Sequence, residues 1–465
     1  MTTNRREFLR GAAAFGAAAW LAVDGGASRA YADAPNPEDP NDPNAIVDPD
    51  HEIGKPYAGW KEGDLDLHFI HTGLTENCFH VFPDGTTALV DTGDRSSKNF
   101  GKVAWNRTKS DAAACAVKPD DSRRPGEWVA RYISRICPDL ETIDYVIASH
   151  FHADHTGCEG HGAGKKGLEK DADYMISGIS HVGEFYKFGT AFDRGYPDYE
   201  KPVKISGGDI RNLTRFWSYA EKTYGLKREE FRVGALDQIK LTKAPEKYDF
   251  HVRNICRNGV VWTGEGEKTI DFYAENPSNF EKTKSENTLS MGHVIQYGAF
   301  RYFTGGDVSG KILDAQGADA DFEGRVGRAT GPVDACKTNH HASLDAMRRT
   351  FIEAVQSRVY VTCCWWMGHV PEQSCANMAD ESLYPGPRLM CPTDPHPMNA
   401  PTFQGKPWRR YLCERGGHVV IKAYDGGARY KVYFLTADDE SMRVNLVFGP
   451  FESTGTARLA ARDRA

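Results

Sequence analysis

Four potential metal ligands stand close together in the chain, at His150, His152, Asp154 and His155. Imidazole and carboxylate groups are natural ligands of zinc and similar ions. Side chains two positions apart on the extended end of a strand point the same way, so His150 and His152 can hold one ion. Asp154 and His155, where the chain turns, can reach a second ion nearby. A lone histidine is usually an ordinary polar or core residue, but this density of ligands predicts a metal site.

A strand predicted at Ile143–Ser149 leads directly into these ligands, and its apolar side chains indicate that it is buried. Other strand-like runs also end in polar residues, at Asp91, at Asp307 and at the pair His340 and His341. Helical patterns are found at about 128–136, 210–224 and 344–356. Strands that end in polar clusters and alternate with helices predict an α/β sandwich whose chemistry lies along one edge.

Residues 150–155 resemble the HxHxDH signature of the metallo-β-lactamase superfamily. Residues 90–93 are similar to its early DTG motif, and residues 303–307 to its later FTGD motif. Residues 339–343 are similar to its closing histidine motif, in the HHGS form of phosphorylcholine esterases and of the hydrolase domain of DNA-uptake channel proteins. The motifs occur in family order across roughly residues 65–361. The resemblance implies an αββα sandwich and a hydrolase with two divalent ions.

The resemblance assigns a metal-binding role to six residues: His150 and His152 on the first ion, Asp154, His155 and His341 on the second, and Asp307 bridging both. Zinc is favoured, with manganese or iron as alternatives. His341 is preferred to His340 as a ligand because the family's histidine usually precedes two small residues. His340 would then face the substrate.

The catalytic roles follow from the same resemblance. The two ions would share a water and lower its pKa toward neutrality, which supplies hydroxide. Asp154 would hold this nucleophile in line while binding metal, and His340 would stabilise developing negative charge. Asp91 is a candidate to orient one of the ligand histidines from behind.

One segment departs from the family pattern. The family usually has another histidine on the first metal, shortly before the FTGD strand, but Ser285–Ser290 contains none. Glu286 could replace that imidazole with a carboxylate, which would favour manganese or iron. Alternatively, His181 could fold back into the site, or no residue takes the position. These three interpretations remain open at this stage.

Other reactive side chains receive ordinary interpretations. A turn is predicted around Arg194 and Tyr196, with either residue as a weaker candidate for substrate contact. The Pro-rich segment Gly368–Trp408 is expected to be an ordered loop over a site or an interface. His369 and His396 lie in this segment, and both are expected at the surface.

The first residues resemble an export signal. Residues 4–10 are similar to the twin-arginine signal, a mildly apolar stretch follows, and Ala30-Tyr31-Ala32 predicts cleavage after Ala32. We therefore expect export by the twin-arginine machinery to the periplasm or beyond, with an N-terminal membrane anchor as the alternative. No other run approaches the roughly 18 apolar residues of a membrane span, so none is expected after processing.

The remaining chain is predicted to form a disordered leader at 33–50, one hydrolase domain at 51–450 with an insertion at about 160–281, and a flexible tail at 451–465. The whole chain has a formal charge of −7. The signal carries four arginines against two acids, so the processed chain is near −9, which argues against broad nucleic-acid binding. The eleven cysteines are an odd number, and their sequence positions assign no disulfide pairing.

Hydrolysis of a phosphoester, in particular a phosphodiester, is the favoured function, because the HHxS ending is most similar to esterases of that kind. A hydrolase that opens an amide or lactone ring is one alternative. A non-catalytic binding protein with a degenerate metal site is another, and the altered segment around Glu286 is its main support.

Overall fold

The computed structural model describes residues 50–95, 114–160, 165–169, 171–202, 204, 207–275, 285–309, 312 and 317–464. The predicted signal peptide at 1–32 and nearly all of the predicted leader at 33–50 lie outside these ranges. Among the helices that they contain, none combines the length and apolar character that crossing a membrane requires.

Two β-sheets contain the seventeen strands of the described residues. In chain order the strands are β1 (Leu65–Phe69), β2 (Asn77–Val81), β3 (Thr87–Thr92), β4 (Thr142–Ala148), β5 (Lys187–Asp193), β6 (Lys227–Arg228), β7 (Phe250–Arg257), β8 (Val260–Trp262), β9 (Thr269–Asp271), β10 (Gly292–Tyr297), β11 (Phe300–Thr304), β12 (Ala335–Lys337), β13 (Val359–Thr362), β14 (Leu389–Pro392), β15 (His418–Tyr424), β16 (Arg429–Leu435) and β17 (Val444–Glu452).

Each sheet is part parallel and part antiparallel. The first has the order β17-β16-β15-β1-β2-β3-β4-β5-β6, and its strands are parallel only from β3 to β6. The second has the order β14-β13-β12-β11-β10-β7-β8-β9, and its strands are parallel from β14 to β11. Parallel neighbours need long crossover connections, and helices provide most of them.

Ten α-helices are present in the described residues: α1 (Pro125–Ile136), α2 (Ala153–Thr156), α3 (Ile179–Val182), α4 (Gly208–Tyr224), α5 (Phe272–Glu275), α6 (Phe322–Thr330), α7 (Arg349–Val355), α8 (Glu372–Ala379), α9 (Ala400–Phe403) and α10 (Gly455–Arg462). The helix predicted at 344–356 is shorter than expected, because it begins only at Arg349, after turns and bends over residues 344–347 and an extended Arg348.

Apolar side chains fill three layers of this structure. Between the sheets, Leu67 of β1 and Ile295 of β10 belong to one buried cluster. The outer face of the first sheet packs on α1 and α4, where Phe216 is fully buried. The outer face of the second sheet packs on α6, α7 and α8, where Phe351 is fully buried. Helices outside two packed sheets confirm the predicted α/β fold, an αββα sandwich.

The predicted additions are integral parts of the two sheets. The insertion at about 160–281 supplies β5 and β6 to the first sheet and β7, β8 and β9 to the second. The Pro-rich segment Gly368–Trp408 is not a loop throughout, because it forms α8 and the edge strand β14, which pairs with β13. Its composition obscures this pairing, which depends on a distant strand.

The structure differs from the flexible tail predicted at 451–465. Residues 451 and 452 complete β17, and α10 follows. The guanidinium of Arg458 donates to the carbonyl of Val333 at 2.7 Å, and the backbone N–H of Gly455 donates to the Asp334 carboxylate. Polar contacts with residues next to β12 thus hold this end of the chain in place. Such contacts produce no apolar periodicity, so the sequence did not predict them.

Candidate metal centre

The polar residues that end four strands meet at one edge of the sandwich. Asp91 lies near the end of β3, and the histidine motif follows β4. On the second sheet, Asp307 follows β11 and His341 follows β12. Asp91, His155, Asp307 and His341 are each at most 1% exposed. The fold therefore brings the predicted ligands into one buried cluster.

His150 and His152 form the first part of this cluster. Because β4 ends at Ala148, both histidines lie in the turn beyond the strand and not on its extended end. Nε2 of His150 is 3.1 Å from Nδ1 of His152 and 3.6 Å from Oδ2 of Asp307. These three side chains form a group that could hold a metal ion.

A glycine allows β3 to approach the histidine motif closely. Asp154 and His155 lie on the single turn of α2. A Cβ placed on Gly93 would be only 2.0 Å from the backbone carbonyl oxygen of Asp154. The glycine of the Asp-Thr-Gly motif is thus required by this backbone contact, which positions α2 beside Asp91.

His155, Asp307 and His341 form the second part of the cluster, to which Glu76 also belongs. The Nε2 atoms of His155 and His341 are 3.2 Å apart. Oδ2 of Asp307 is 3.2 Å from Nε2 of His155, and its Oδ1 is 3.6 Å from Nε2 of His341. Oδ2 of Asp154 is 3.5 Å from Nε2 of His341. The side chains predicted to hold the second ion therefore converge.

Hydrogen bonds at the outer nitrogens determine which imidazole atoms face this centre. Nδ1 of His155 donates to Oδ2 of Asp91 at 2.9 Å, and Nδ1 of His341 donates to the carbonyl oxygen of Cys363 at 2.8 Å. Each Nε2 then carries a lone pair, and two facing lone pairs require a proton or a metal ion between them. The buried Oδ1 of Asp307 has no hydrogen-bond partner among the described residues. The donor set fits divalent ions, with Asp91 in the orienting position predicted for it.

The pKa values in the cluster suit metal binding. Burial disfavours the ionised form of Asp307, but His155 and His341 outweigh it and hold the pKa of this carboxyl well below its ordinary value. Burial also holds the pKa of His150 well below its ordinary value. Burial opposes charge on His155 too, yet Asp307 and Glu76 raise its pKa well above its ordinary value. Near neutral pH the carboxylate of Asp307 is ionised and His150 is neutral, as ligands must be, whereas an ion must displace a proton from His155.

A buried ion pair occupies the segment that lacks the family's additional histidine. Nε and Nη2 of Arg194 donate to the two carboxylate oxygens of Glu286 at 2.5 and 2.7 Å. Oε1 of Glu286 also accepts the backbone N–H of Phe151 at 2.9 Å. Neither Glu286 nor His181 belongs to a group of potential metal ligands in the described part of the chain. Arg194, a weaker candidate for substrate contact, is 1% exposed and forms this ion pair.

A second buried ion pair lies behind the ligand histidines and was not predicted. Nζ of Lys337 is 2.8 Å from Oε2 of Glu76 and also donates to the carbonyl oxygen of Gly306. The Glu76 carboxylate is 3.5 Å from Nδ1 of His341 and 3.9 Å from Nδ1 of His155. It therefore contacts the outer side of both imidazoles, away from the Nε2 atoms. No motif in the sequence marks either residue of the pair.

His340 faces the centre from a backbone conformation with φ of 42°, which is unusual for a residue other than glycine. Nδ1 of His340 is 2.6 Å from Oδ1 of Asp345 and 3.2 Å from the hydroxyl of Ser309. The side-chain amide of Asn287 is 3.1 Å from Nε2, and Oδ2 of Asp307 is 3.9 Å from it. His340 therefore lies beside the predicted metal ligands, with Asp345 as an additional partner.

Glu323 of α6 anchors the loop that carries His340. Its Oε1 accepts the side-chain amide of Asn339 at 2.9 Å and the backbone N–H of Met347 at 2.8 Å. Its Oε2 accepts the backbone N–H of Arg348 at 3.0 Å. One carboxyl group therefore holds both ends of the loop, although it lies on a helix with no sequence signal for such a role.

We expect this anchor to give the protein a pH-dependent stability. Burial raises the pKa of Glu323 from 4.5 to about 7. Between these values the folded protein keeps a proton that the unfolded chain releases, so the free energy of unfolding should fall as pH rises through this interval. In Glu323→Gln this part of the pH dependence should disappear. Urea denaturation from pH 4.5 to 7 measures it, and equal pH dependence in both proteins would contradict the assignment.

Aromatic residues and one arginine complete the edge of the centre beside His341. The ring of His369 stacks on His341 with centroids 4.6 Å apart, and its Nδ1 accepts the backbone N–H of Trp365 at 3.1 Å. The guanidinium carbon of Arg95 lies 4.6 Å above the Trp365 ring. His369 and His396, both expected at the surface, are each 5% exposed. The predicted surface positions are wrong for both residues, because His369 packs on His341 and Nε2 of His396 lies 3.2 Å from the carbonyl oxygen of Ala114.

Comparisons with known proteins show only weak likeness. No protein-family model matches the chain. The probable mitochondrial tRNA-specific 2-thiouridylase 1 of Caenorhabditis elegans is 24% identical over 182 residues, which cover 38% of this chain. The chain spans about half the length of this curated relative, at 47%. The crystal structure of the short form of human tRNase Z has a TM-score of 0.25 at 10% identity and covers 63% of this chain and 91% of its own. Because these identities and this TM-score are low, the assignment of the metal centre depends on the geometry of its own side chains.

Proposed function

We propose that the protein is a metal-dependent hydrolase that cleaves phosphoesters, in particular phosphodiesters, with two divalent ions. The position of Asp307 carries this proposal, because two adjoining groups of potential ligands share this side chain. A carboxylate between two sets of imidazoles is an arrangement that can hold two ions side by side. The αββα sandwich, and motifs that resemble those of the metallo-β-lactamase superfamily, support the same conclusion.

Zinc suits the ligands that the chain offers. The first ion would be held by His150, His152 and Asp307, a set of two imidazoles and one carboxylate. Glu286 would have favoured manganese or iron as an additional carboxylate, but its oxygens bind Arg194 and a backbone N–H. When bound, the two ions lower the pKa of a water between them and polarise the substrate.

Two side chains of the centre would act on the substrate and its attacking water. Asp154 lies beside His341, where its carboxylate can hold the water in line and accept its proton. Nδ1 of His340 bonds Asp345, and its Nε2 faces the centre, 3.9 Å from Oδ2 of Asp307 and 3.1 Å from the side-chain amide of Asn287. Burial opposes charge on His340, but Asp307 and Asp345 outweigh it and raise the pKa of this imidazole. A protonated His340 would stabilise negative charge that develops in the transition state.

Two positively charged side chains at the centre favour an anionic substrate over a neutral amide or lactone. Arg95 lies 3.5 Å from Asp154, and His340 adds a second positive group at the same centre. The alternative of a degenerate, non-catalytic site has less support, because the potential ligands still converge in the folded chain.

We also propose that the enzyme acts outside the cytoplasm, after export by the twin-arginine machinery. The resemblance of residues 4–10 to the export signal supports this localisation. N-terminal sequencing of the exported protein should find cleavage after Ala32, and a retained N-terminus would favour an anchored form.

Turnover of chromogenic substrates by the processed, zinc- or manganese-loaded protein tests the proposal. A chromogenic phosphodiester should be cleaved fastest, ahead of a phosphomonoester and a cyclic amide. Asp154→Ala should lower diester turnover by roughly a hundredfold or more, because it removes the group that holds the water. Absence of diester turnover at confirmed metal occupancy would refute the phosphodiesterase assignment, and turnover of only the cyclic amide would support ring opening instead.

A further inference from the structure

We infer that Trp365 and Arg95 form an anion-binding edge of the metal centre, which contacts a negatively charged oxygen of the substrate beside His341. This inference rests on the proposed function and adds the residues that would recognise a phosphoryl group.

The indole N–H of Trp365 is directed at the metal-facing nitrogen of His341. Nε1 donates to Nε2 of His341 at 3.4 Å, a long hydrogen bond. Nδ1 of His341 is committed to the carbonyl of Cys363, so Nε2 offers the lone pair that an ion at this centre would also use. The indole N–H therefore points to the place where an ion and a substrate oxygen would meet.

Several contacts hold the Trp365 ring in this orientation. Its backbone N–H donates to Nδ1 of His369, and its carbonyl accepts the backbone N–H of Cys115 at 3.1 Å. Its ring meets His369 at 4.7 Å and 89°, and His341 at 5.8 Å and 81°. The side chain is 3% exposed. Its donor is thus oriented before a substrate arrives, which is the condition for effective stabilisation of charge.

Arg95 places a cation on the same edge. Its guanidinium lies over the Trp365 ring at 4.6 Å, and Nη1 is 3.5 Å from Oδ1 of Asp154. A guanidinium presents several N–H donors in a planar fork that matches the oxygens of a phosphate. Arg95 and Trp365 together offer a positive charge and a directed N–H. Both suit the non-bridging oxygens of a phosphodiester.

Binding of inorganic phosphate to the zinc-loaded protein tests this edge by titration calorimetry. Trp365→Phe keeps the aromatic ring under Arg95 but removes its N–H, and Arg95→Gln removes the charge. Each change should weaken phosphate binding by about 10- to 100-fold, the effect of losing a hydrogen bond to a charged group. Metal content, measured by elemental analysis, should stay unchanged.

Matched controls exist for both substitutions. Trp366→Phe makes the same chemical change at the next residue. Arg123→Gln removes a guanidinium that lies 4.8 Å above another indole, that of Trp128, on α1 away from the ligand cluster. Both controls should bind phosphate within about twofold of the unchanged protein.

The inference is overturned if the unchanged protein does not bind phosphate, if the variants bind it within about twofold, or if the controls weaken it equally. A lower metal content in Trp365→Phe would also overturn it, because the indole would then serve only to hold His341. Turnover of the chromogenic diester is measured separately. Turnover with phosphate binding independent of the edge refutes this inference alone, whereas edge-dependent phosphate binding without turnover refutes the proposed function alone.

Discussion

Replacing Asp307 with asparagine should lower diester turnover by roughly a thousandfold or more and remove both metal ions from the protein. Asp307 is shared by both groups of potential ligands among the described residues. Its Oδ2 approaches His155 at 3.2 Å and His150 at 3.6 Å, and its Oδ1 approaches His341 at 3.6 Å. An amide preserves the shape but removes the charge that opposes repulsion between two cations.

Metal counts in single variants distinguish this bridging role from a general loss of structure. His152→Ala should lose mainly the first ion, and His341→Ala mainly the second, as elemental analysis after gel filtration would show. Asp193→Asn is a matched control, because Asp193 ends β5 on the same sheet as β4 but belongs to neither group of potential ligands in the described ranges. A full pair of ions in Asp307→Asn would contradict the bridge.

Much of the fold could be predicted because its strands and helices carry local apolar patterns. The strand predicted at Ile143–Ser149 is β4, displaced by one residue, and the helix predicted at 210–224 is α4. The strand β14 and the helix α10 were not predicted. β14 is stabilised by pairing with β13, and α10 by polar contacts with Asp334 and Val333. Such contacts join distant parts of the chain and leave no period in the sequence.

The candidate site, too, could be predicted from the sequence only in part. The convergent ligands could be predicted because His150, His152, Asp154 and His155 are crowded into one motif that resembles a known family. Their supporting residues are single side chains in ordinary sequence: Glu76, Lys337, Glu323, Asp345, Trp365 and Arg95. Each reaches the centre only through packing of the two sheets and their loops. The same packing buries His369, which composition alone placed at the surface.

Removal of one partner from the buried pair of Lys337 and Glu76 should destabilise the protein unusually strongly. Lys337 is fully buried and Glu76 is 1% exposed, with Nζ and Oε2 2.8 Å apart. Lys337→Met would leave the carboxylate of Glu76 without its cation in a medium that solvates charge poorly. The free energy of unfolding should therefore fall by about 3–5 kcal/mol in urea denaturation.

A double-mutant cycle tests whether this loss of stability comes from the unpaired charge of Glu76 and not from the loss of the lysine alone. Glu76→Gln with Lys337→Met should recover most of the stability, because neither charge of the pair is then left without its partner, and the two single effects should not be additive. Lys247 and Glu62 form the same type of pair at the surface, with side chains 53% and 62% exposed. Lys247→Met should change stability little, because water screens that pair. Additive effects at Lys337 and Glu76 would mean that the two groups do not stabilise each other. The outer side of the ligand histidines would then be held by Asp91 and the Cys363 carbonyl alone.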